Sequence, residues 1–297
     1  MKIGVWIERH ILIIFLIPLL LTLCAVLLYP LGYSLISSFY KWSIARPFMG
    51  KKFIGISQYV KAFKDELFIS SVVNTFIFTG IAVSIELTLG IGIALLLAGD
   101  FKGKKIFQSV LFIPVVLTPV GVGILWKILL NTDMGLIPYL FSKIGFTGVS
   151  FLSNPILAKF AIIIVDVWET TPFVFIMILA ALESLPPEPF EAAVIDGASR
   201  WQLLQHITFP LIKPIILVIL LIRTMDIFRI FDTIYVMTGG GPGSATESVS
   251  TYTIRVMFEF FETGYASTLS FIILAIIIVM SLILTKIFKV EYLQTRR

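Results

Sequence analysis

Four ionisable residues recur three apart in an otherwise oily stretch: Arg223, Asp226, Arg229 and Asp232. Their signs alternate, and residues three apart on a helix are neighbours. Ionisable groups inside apolar helices are costly, and they face a protein interior or a watery path. Two chemistries are therefore open to this ladder. It is either a set of salt bridges that holds its helix against others, or a hydrophilic lining for half of a solute path. Glu86, Asp166 and Glu169 also stand inside apolar runs and join the lining candidates. Trp126, Trp168 and Tyr235 add flat aromatic faces suited to stacking.

Catalytic chemistry is not expected. The two histidines, His10 and His206, are far apart in sequence and context, so no metal site is expected. "GDFKGKK" (99–105) lacks the spacing and the Ser or Thr of a phosphate-binding loop. "TGGGPGS" (238–244) has no Lys after its glycines and reads as a turn at the outer surface. The chain is expected to be no enzyme, to need no cofactor and to hydrolyse no ATP itself.

The elements that hold these residues follow from composition. Of 297 residues, 58% are hydrophobic and 14% charged; a soluble domain carries about 25% charged residues. The net charge of +5 comes from scattered basic residues, which excludes the one-sided basic face of a nucleic-acid binder. The single Cys24 cannot form an intramolecular disulfide, and its apolar surroundings suggest a buried thiol. A hydrocarbon core needs roughly 20 apolar helical residues per crossing. Six runs qualify: 11–37, 69–98, 106–130, 159–182, 210–232 and 263–287. The expected fold class is an all-α membrane protein, one domain over residues 1–297 with six transmembrane helices. The first run is longer than a signal-peptide core, and Leu23 sits where a cleavage box needs a small residue, so cleavage is not expected.

Six helices put both termini on one side. Lys2, Arg9, Lys102, Lys104, Lys105, Lys286, Lys289, Arg296 and Arg297 would then face the cytoplasm, as basic loop residues tend to. The loop at 41–64 opposes this, with Lys41, Arg46, Lys51, Lys52, Lys61 and Lys64 placed outside.

Between the fourth and fifth runs lies the loop 183–208. Pro186, Pro187 and Pro189 end the fourth helix, and Glu191, Ala192 and Ala193 favour a short new one. Gly197 breaks it, Ser199 can cap a second short helix over 200–206, and Pro210 and Pro214 bracket entry to the fifth run. An ordinary interfacial helix pair meets this description on physical grounds alone.

The spacing of "EAAVIDGASRWQLLQHITFP" resembles the loop of permease subunits in bacterial and archaeal ABC importers. That motif is E-A-A, three residues, Gly, nine residues, Ile, one residue, Leu-Pro. Glu191, Ala192, Ala193, Gly197, Ile207 and Pro210 match it, and Phe209 replaces the Leu. "VMTGGGPGS" (236–244) and "FIGISQYVKAFKD" (53–65) resemble segments of the carbohydrate-uptake subclass, maltose-type first permease. "WETTPF" (168–173) also fits, and the likeness runs from about residue 10 to 290. The resemblance implies a subunit that forms a solute path with a second, related permease. Two ATPase subunits and an external solute-binding protein would complete the machine. It further implies that the short helices seat on an ATPase subunit, with Glu191 as the polar contact. Small Ala192, Ala193 and Ala198 would permit close docking, Gly197 would permit the sharp bend, and Asp196, Ile207 and Pro210 would belong to the same coupling set. The solute class is a sugar, oligosaccharide, polyol or glycerol phosphate. An ion-coupled carrier using the intramembrane acids is the alternative.

Overall fold

The computed structural model describes residues 16–99 and 101–288. Lys2, Arg9, His10, Lys289, Arg296 and Arg297, and the expected start of the first helix at 11–15, lie outside the described residues. The chain is all-α apart from one small ladder and divides into two compact units. One gathers the described residues up to Asp65 with Thr253–Ile272; the other holds Glu66–Tyr252 with the described residues from Ile273.

In the first unit, helix α1 (Leu16–Ser37) carries a π-helical turn at Cys24–Leu28. Its most apolar stretch is unburied in the single chain, and Cys24 is exposed rather than buried. An apolar helix in a bilayer can leave such groups against lipid, so an oily neighbourhood does not imply burial. Strands β1 (Tyr40–Lys41) and β2 (Lys52–Phe53) pair antiparallel, a feature the helix-only reading of the sequence did not include. Helix α2 (Ser57–Ala62) ties them down: Gln58 Nε2 donates to the carbonyls of Ser38 (3.2 Å) and Tyr40 (3.0 Å).

The second unit is built on α3 (Glu66–Leu97) and α7 (Pro155–Glu183). Phe78, Ala82, Glu86, Gly90 and Ala94 are buried four apart on α3, one stripe of a helix about 48 Å long at 1.5 Å per residue. The stripe meets Ile162, Val165, Val174, Phe175 and Ile178 of α7. Contact is close at Gly90, where an added Cβ would lie 2.5 Å from Cγ1 of Val174.

The third apolar run is not one straight helix. It forms α4 (Lys104–Val116) and α5 (Pro119–Leu129), bent by 94°. Pro119 disfavours helical geometry in the residue before it, and Leu117 and Thr118 are extended with ψ of 149° and 140°. Thr118 then caps α5, accepting a hydrogen bond from Gly121 N at 3.3 Å. Helix α6 (Leu136–Lys143) follows.

Helices α8 (Glu188–Ile195) and α9 (Arg200–Leu203) form the loop between α7 and α10 (Phe209–Phe228). The fifth run also breaks early. Arg229 ends α10, and α11 (Asp232–Met237) begins after Phe231. Asp232 therefore opens a new helix, where a carboxylate suits the positive end of the dipole. Lys127 of α5 donates to Val236 O at 2.8 Å, satisfying a carbonyl near the end of α11. Helix α12 (Val249–Phe258) precedes α13 (Thr263–Phe288).

Among the described residues, α1, α3, α7 and α13 are long and apolar enough to cross a membrane, and α4 with α5 makes a fifth crossing if counted as one. The 20-residue α10 is interrupted by Lys213, Arg223 and Asp226.

Candidate functional site

The loop between α7 and α10 is locally determined. Pro187 precedes α8, and Glu188 and Glu191 fill its first turn, favourable beside exposed backbone N–H groups. The helix ends with Ala198 N donating to Ala193 O (2.9 Å) and Gly197 N to Val194 O (3.0 Å). This is a Schellman closure, which requires a left-handed residue after the cap. Gly197 supplies it at φ +81°. An added Cβ there would meet nothing within 4 Å, so conformation alone calls for glycine. Two residues later Ser199 and Gln202 form a capping box: Ser199 N donates to Gln202 Oε1 (2.8 Å) and Gln202 N to Ser199 Oγ (3.3 Å).

The second short helix does not stop at His206 as the sequence suggests. A π-helical turn, Leu204–Thr208, runs from α9 into α10. Pro210 has no N–H to return to the preceding turn, and the wider turn lets the helix pass through it without a break. Glu191, Ala192, Asp196, Gly197 and Pro210 are exposed, while Ala193, Ala198 and Ile207 are half-buried. Val194, Ile195 and Trp201 are exposed too, Ile195 to 86%. Ala193, Asp196, Ala198, Gln202, His206 and Ile207 line a shallow hollow in the bend. The loop therefore offers an apolar, acid-edged surface on a rigid backbone.

The second cluster lies inside the unit. Arg223 of α10 donates from Nε to Glu86 Oε2 (2.7 Å), from Nη2 to Glu86 Oε1 (2.9 Å), and from Nη2 to Asp166 Oδ2 (2.9 Å). Thr170 Oγ1 adds a hydrogen bond to Glu86 Oε1 at 2.9 Å. The Arg223 and Glu86 side chains are 4% and 0% exposed. Three helices thus meet at one guanidinium, whose planar fork matches a carboxylate in two places. Along the helices, the cluster lies between two apolar cores, one around Phe78, Val83 and Ile162 and one around Ala94, Phe175 and Ile178.

The expected ladder is thereby revised. Its inner member pairs chiefly across to other helices. Asp226, 40% exposed, bridges Arg229 at 2.9 Å and Arg223 at 3.7 Å, and Asp232 sits beyond the break. Among the described residues, neither Glu169 nor Asp232 makes an ion pair within 4 Å. Trp126 meets Trp168 edge-on at 5.5 Å, its indole nitrogen buried without an acceptor among the described residues, and exposed Tyr235 stacks on Phe231 at 5.0 Å.

The segment that follows the glycine-rich turn packs into the second unit. Thr246, Glu247 and Ser248 are buried. Asn74 Nδ2 donates to Glu247 O (3.1 Å), Thr75 Oγ1 accepts from Val249 N (3.0 Å), and Ser248 Oγ donates to Ile230 O (2.9 Å). The sequence reading missed Asn74, Thr75, Ser248 and Thr170. Their signal was hydrogen-bonding side chains inside apolar runs.

An all-helical membrane subunit with an exposed helical elbow continuous with a charge-braced helix has the build of a transport permease. The chain belongs to the binding-protein-dependent transport system inner membrane component family, whose model matches residues 86–290. The trehalose/maltose transport system permease protein MalF of Thermococcus litoralis is 37% identical over 83% of this chain and 81% of its own. The sulfoquinovosyl glycerol transport system permease protein SmoG of Agrobacterium fabrum is 32% identical over 91% and 87%. A bacterial ABC transporter chain involved in import of the acidic polysaccharide alginate superposes with a TM-score of 0.82 at 26% identity, covering 97% of this chain and 98% of that one. The chain is therefore a multi-pass inner-membrane component of a binding-protein-dependent transporter.

Proposed function

We propose that this chain forms, with a second permease, the path of an ATP-driven importer for a carbohydrate or related solute: an oligosaccharide, a polyol or a glycerol phosphate. Two ATPase subunits supply the energy and an extracytoplasmic binding protein delivers the solute. The named relatives serve trehalose or maltose and sulfoquinovosyl glycerol, which supports this solute class. Counting α4–α5 as one crossing and α10 as another gives six, with both termini cytoplasmic and the 41–64 loop outside.

One observation carries the reading: the exposed elbow of α8 and α9 continues through the π turn into α10, which bears Arg223. In this proposal Glu191, Ala192, Ala193, Asp196, Gly197, Ala198, Ile207 and Pro210 form or support the ATPase seat. A push on the seat then moves a rod rather than a hinge. Glu86, Asp166 and Arg223 brace that rod against α3 and α7. Trp126, Glu169, Asp226, Arg229, Asp232 and Tyr235 remain for the solute path. The test is co-purification of the chain with its partner subunits, followed by solute uptake and ATP hydrolysis stimulated by loaded binding protein. Absence of a bound ATPase, with uptake driven instead by an ion gradient, would overturn it.

A further inference from the structure

The basic loop at 41–64 is not used by the transport reading. Within the first unit its cations converge. Lys41 and Lys52 are direct cross-strand partners in the β1–β2 ladder. Like charges directly opposite one another destabilise a strand pair, so this register puts two ammonium groups where an anion between them would relieve the repulsion. Both line a cleft of about 740 Å³ together with Arg46, Trp42 and Lys61. Lys61 is already neutralised by Glu262 at 2.7 Å. Among the described residues, Lys41, Arg46 and Lys52 have no carboxylate within 4 Å. Trp42 Nε1 is a buried donor with no acceptor among the described residues. The cleft therefore has surplus positive charge and spare donors.

Its position narrows the choice of anion. Ile44 N donates to Thr263 Oγ1 (3.1 Å) and Thr268 Oγ1 to Ser38 O (3.0 Å). The ladder is thus fastened where α1 ends and α13 begins, the level of a membrane surface for two helices long enough to cross it. Exposed apolar side chains flank it: Phe48 is 96% exposed and Phe53 65%, with Leu35 and Ile36 exposed on the last turn of α1. Tyr33 and Trp42 lie beneath Lys51, whose Nζ is 4.6 Å from each ring centre, and aromatic residues of this kind favour headgroup depth. A soluble anion would use the charge but not the apolar flanks.

We propose that the cleft holds the phosphate headgroup of an anionic membrane lipid, with Lys41, Arg46 and Lys52 neutralising the phosphate and the acyl chains lying along α1. This goes beyond the transport reading and holds for either orientation of the chain.

The assembled transporter, placed in nanodiscs of phosphatidylcholine with phosphatidylglycerol and then exchanged into phosphatidylcholine alone, should retain phosphatidylglycerol by native mass spectrometry. Each basic residue near an anionic surface is worth about fivefold in affinity. Lys41→Gln/Arg46→Gln/Lys52→Gln should therefore cut retention by at least about tenfold. Lys102→Gln/Lys105→Gln, which leaves this cleft intact, should behave as the parent. Equal retention by both variants would overturn the site. Protection of Trp42 fluorescence from quenching by inorganic phosphate alone, in pure phosphatidylcholine and undiminished by added phosphatidylglycerol, would overturn the lipid as occupant. If the triple variant does not assemble, Lys41→Gln serves. The site predicts that anionic lipid raises the melting temperature of the parent but not of this variant. A melting temperature raised by Lys41→Gln equally in both lipid mixtures would show only relieved repulsion and sink the proposal.

Discussion

Arg223 and Glu86, 137 residues apart in sequence, share two hydrogen bonds of 2.7 and 2.9 Å in the interior of the second unit. The pair is closed to solvent on both sides and shares its guanidinium with Asp166. Removing one partner of a buried pair strands the other charge, at a cost of about 3–5 kcal/mol. We expect Arg223→Ala to abolish accumulation of the assembled transporter, measured by pull-down yield. Asp226→Ala should cost about 0–1 kcal/mol, because that carboxylate is partly exposed. Its yield should be near normal, so a transport defect there would mark it as part of the path. Equal yields for Arg223→Ala and the parent would refute the brace.

Gly197 has room for a side chain but not the conformation for one. A β-branched residue held at positive φ costs about 1–3 kcal/mol. We expect Gly197→Val to disturb the Schellman closure, with loss of ATPase pull-down and stimulated hydrolysis while membrane insertion survives. Gly197→Asn, which tolerates left-handed geometry, should retain both. Parent-level pull-down for Gly197→Val would remove the assigned role of this bend.

The α3–α7 contact at Gly90 predicts the opposite pattern, with room lacking rather than conformation. Gly90→Ala brings a methyl 2.5 Å from Val174 Cγ1 and 3.2 Å from Phe175 N. Overpacking of this kind costs about 1–3 kcal/mol. Thermal melting should show the loss, and Val174→Ala in the same chain should restore part of it. No recovery in the double variant would mean that the backbone contact, not Val174, sets the limit.

Orientation is testable at two exposed lysines. In a Cys24→Ser background, Lys52→Cys should react with an impermeant thiol reagent from outside intact cells and Lys102→Cys should not. Lys104 is less suitable because its ammonium pairs with Glu183 at 2.8 Å. The reverse labelling would invert the proposed topology.

The crossings α3, α7 and α13 were legible because lipid demands long apolar helices, and such runs are visible in one dimension. The bend between α4 and α5 was written in Pro119, but the continuous apolar run concealed it. Spacing alone suggested that Arg223, Asp226, Arg229 and Asp232 share one helix. The break after Phe228 shows that three-residue periodicity does not guarantee continuous helix. That Arg223 meets Glu86 and Asp166 depends on how three helices are rotated about their axes, which no local signal encodes. The elbow of α8 and α9 was readable for the converse reason: Gly197, Ser199 and Gln202 act on backbone groups within a few positions of themselves.

The π turn at Leu204–Thr208 sets an angular phase. A π turn contains one residue more than an α turn, and each residue in a helix turns the chain by about 100°. Leu203 and Arg223 stand about 30 Å apart along the rod at 1.5 Å per residue. The extra residue therefore decides which way the elbow of α8 and α9 faces when Arg223 faces Glu86. Deleting Gln205 would let the turn relax to α geometry with the helix intact and both ends correctly folded. The elbow would nonetheless point elsewhere around the axis, like a key cut correctly and inserted at the wrong rotation.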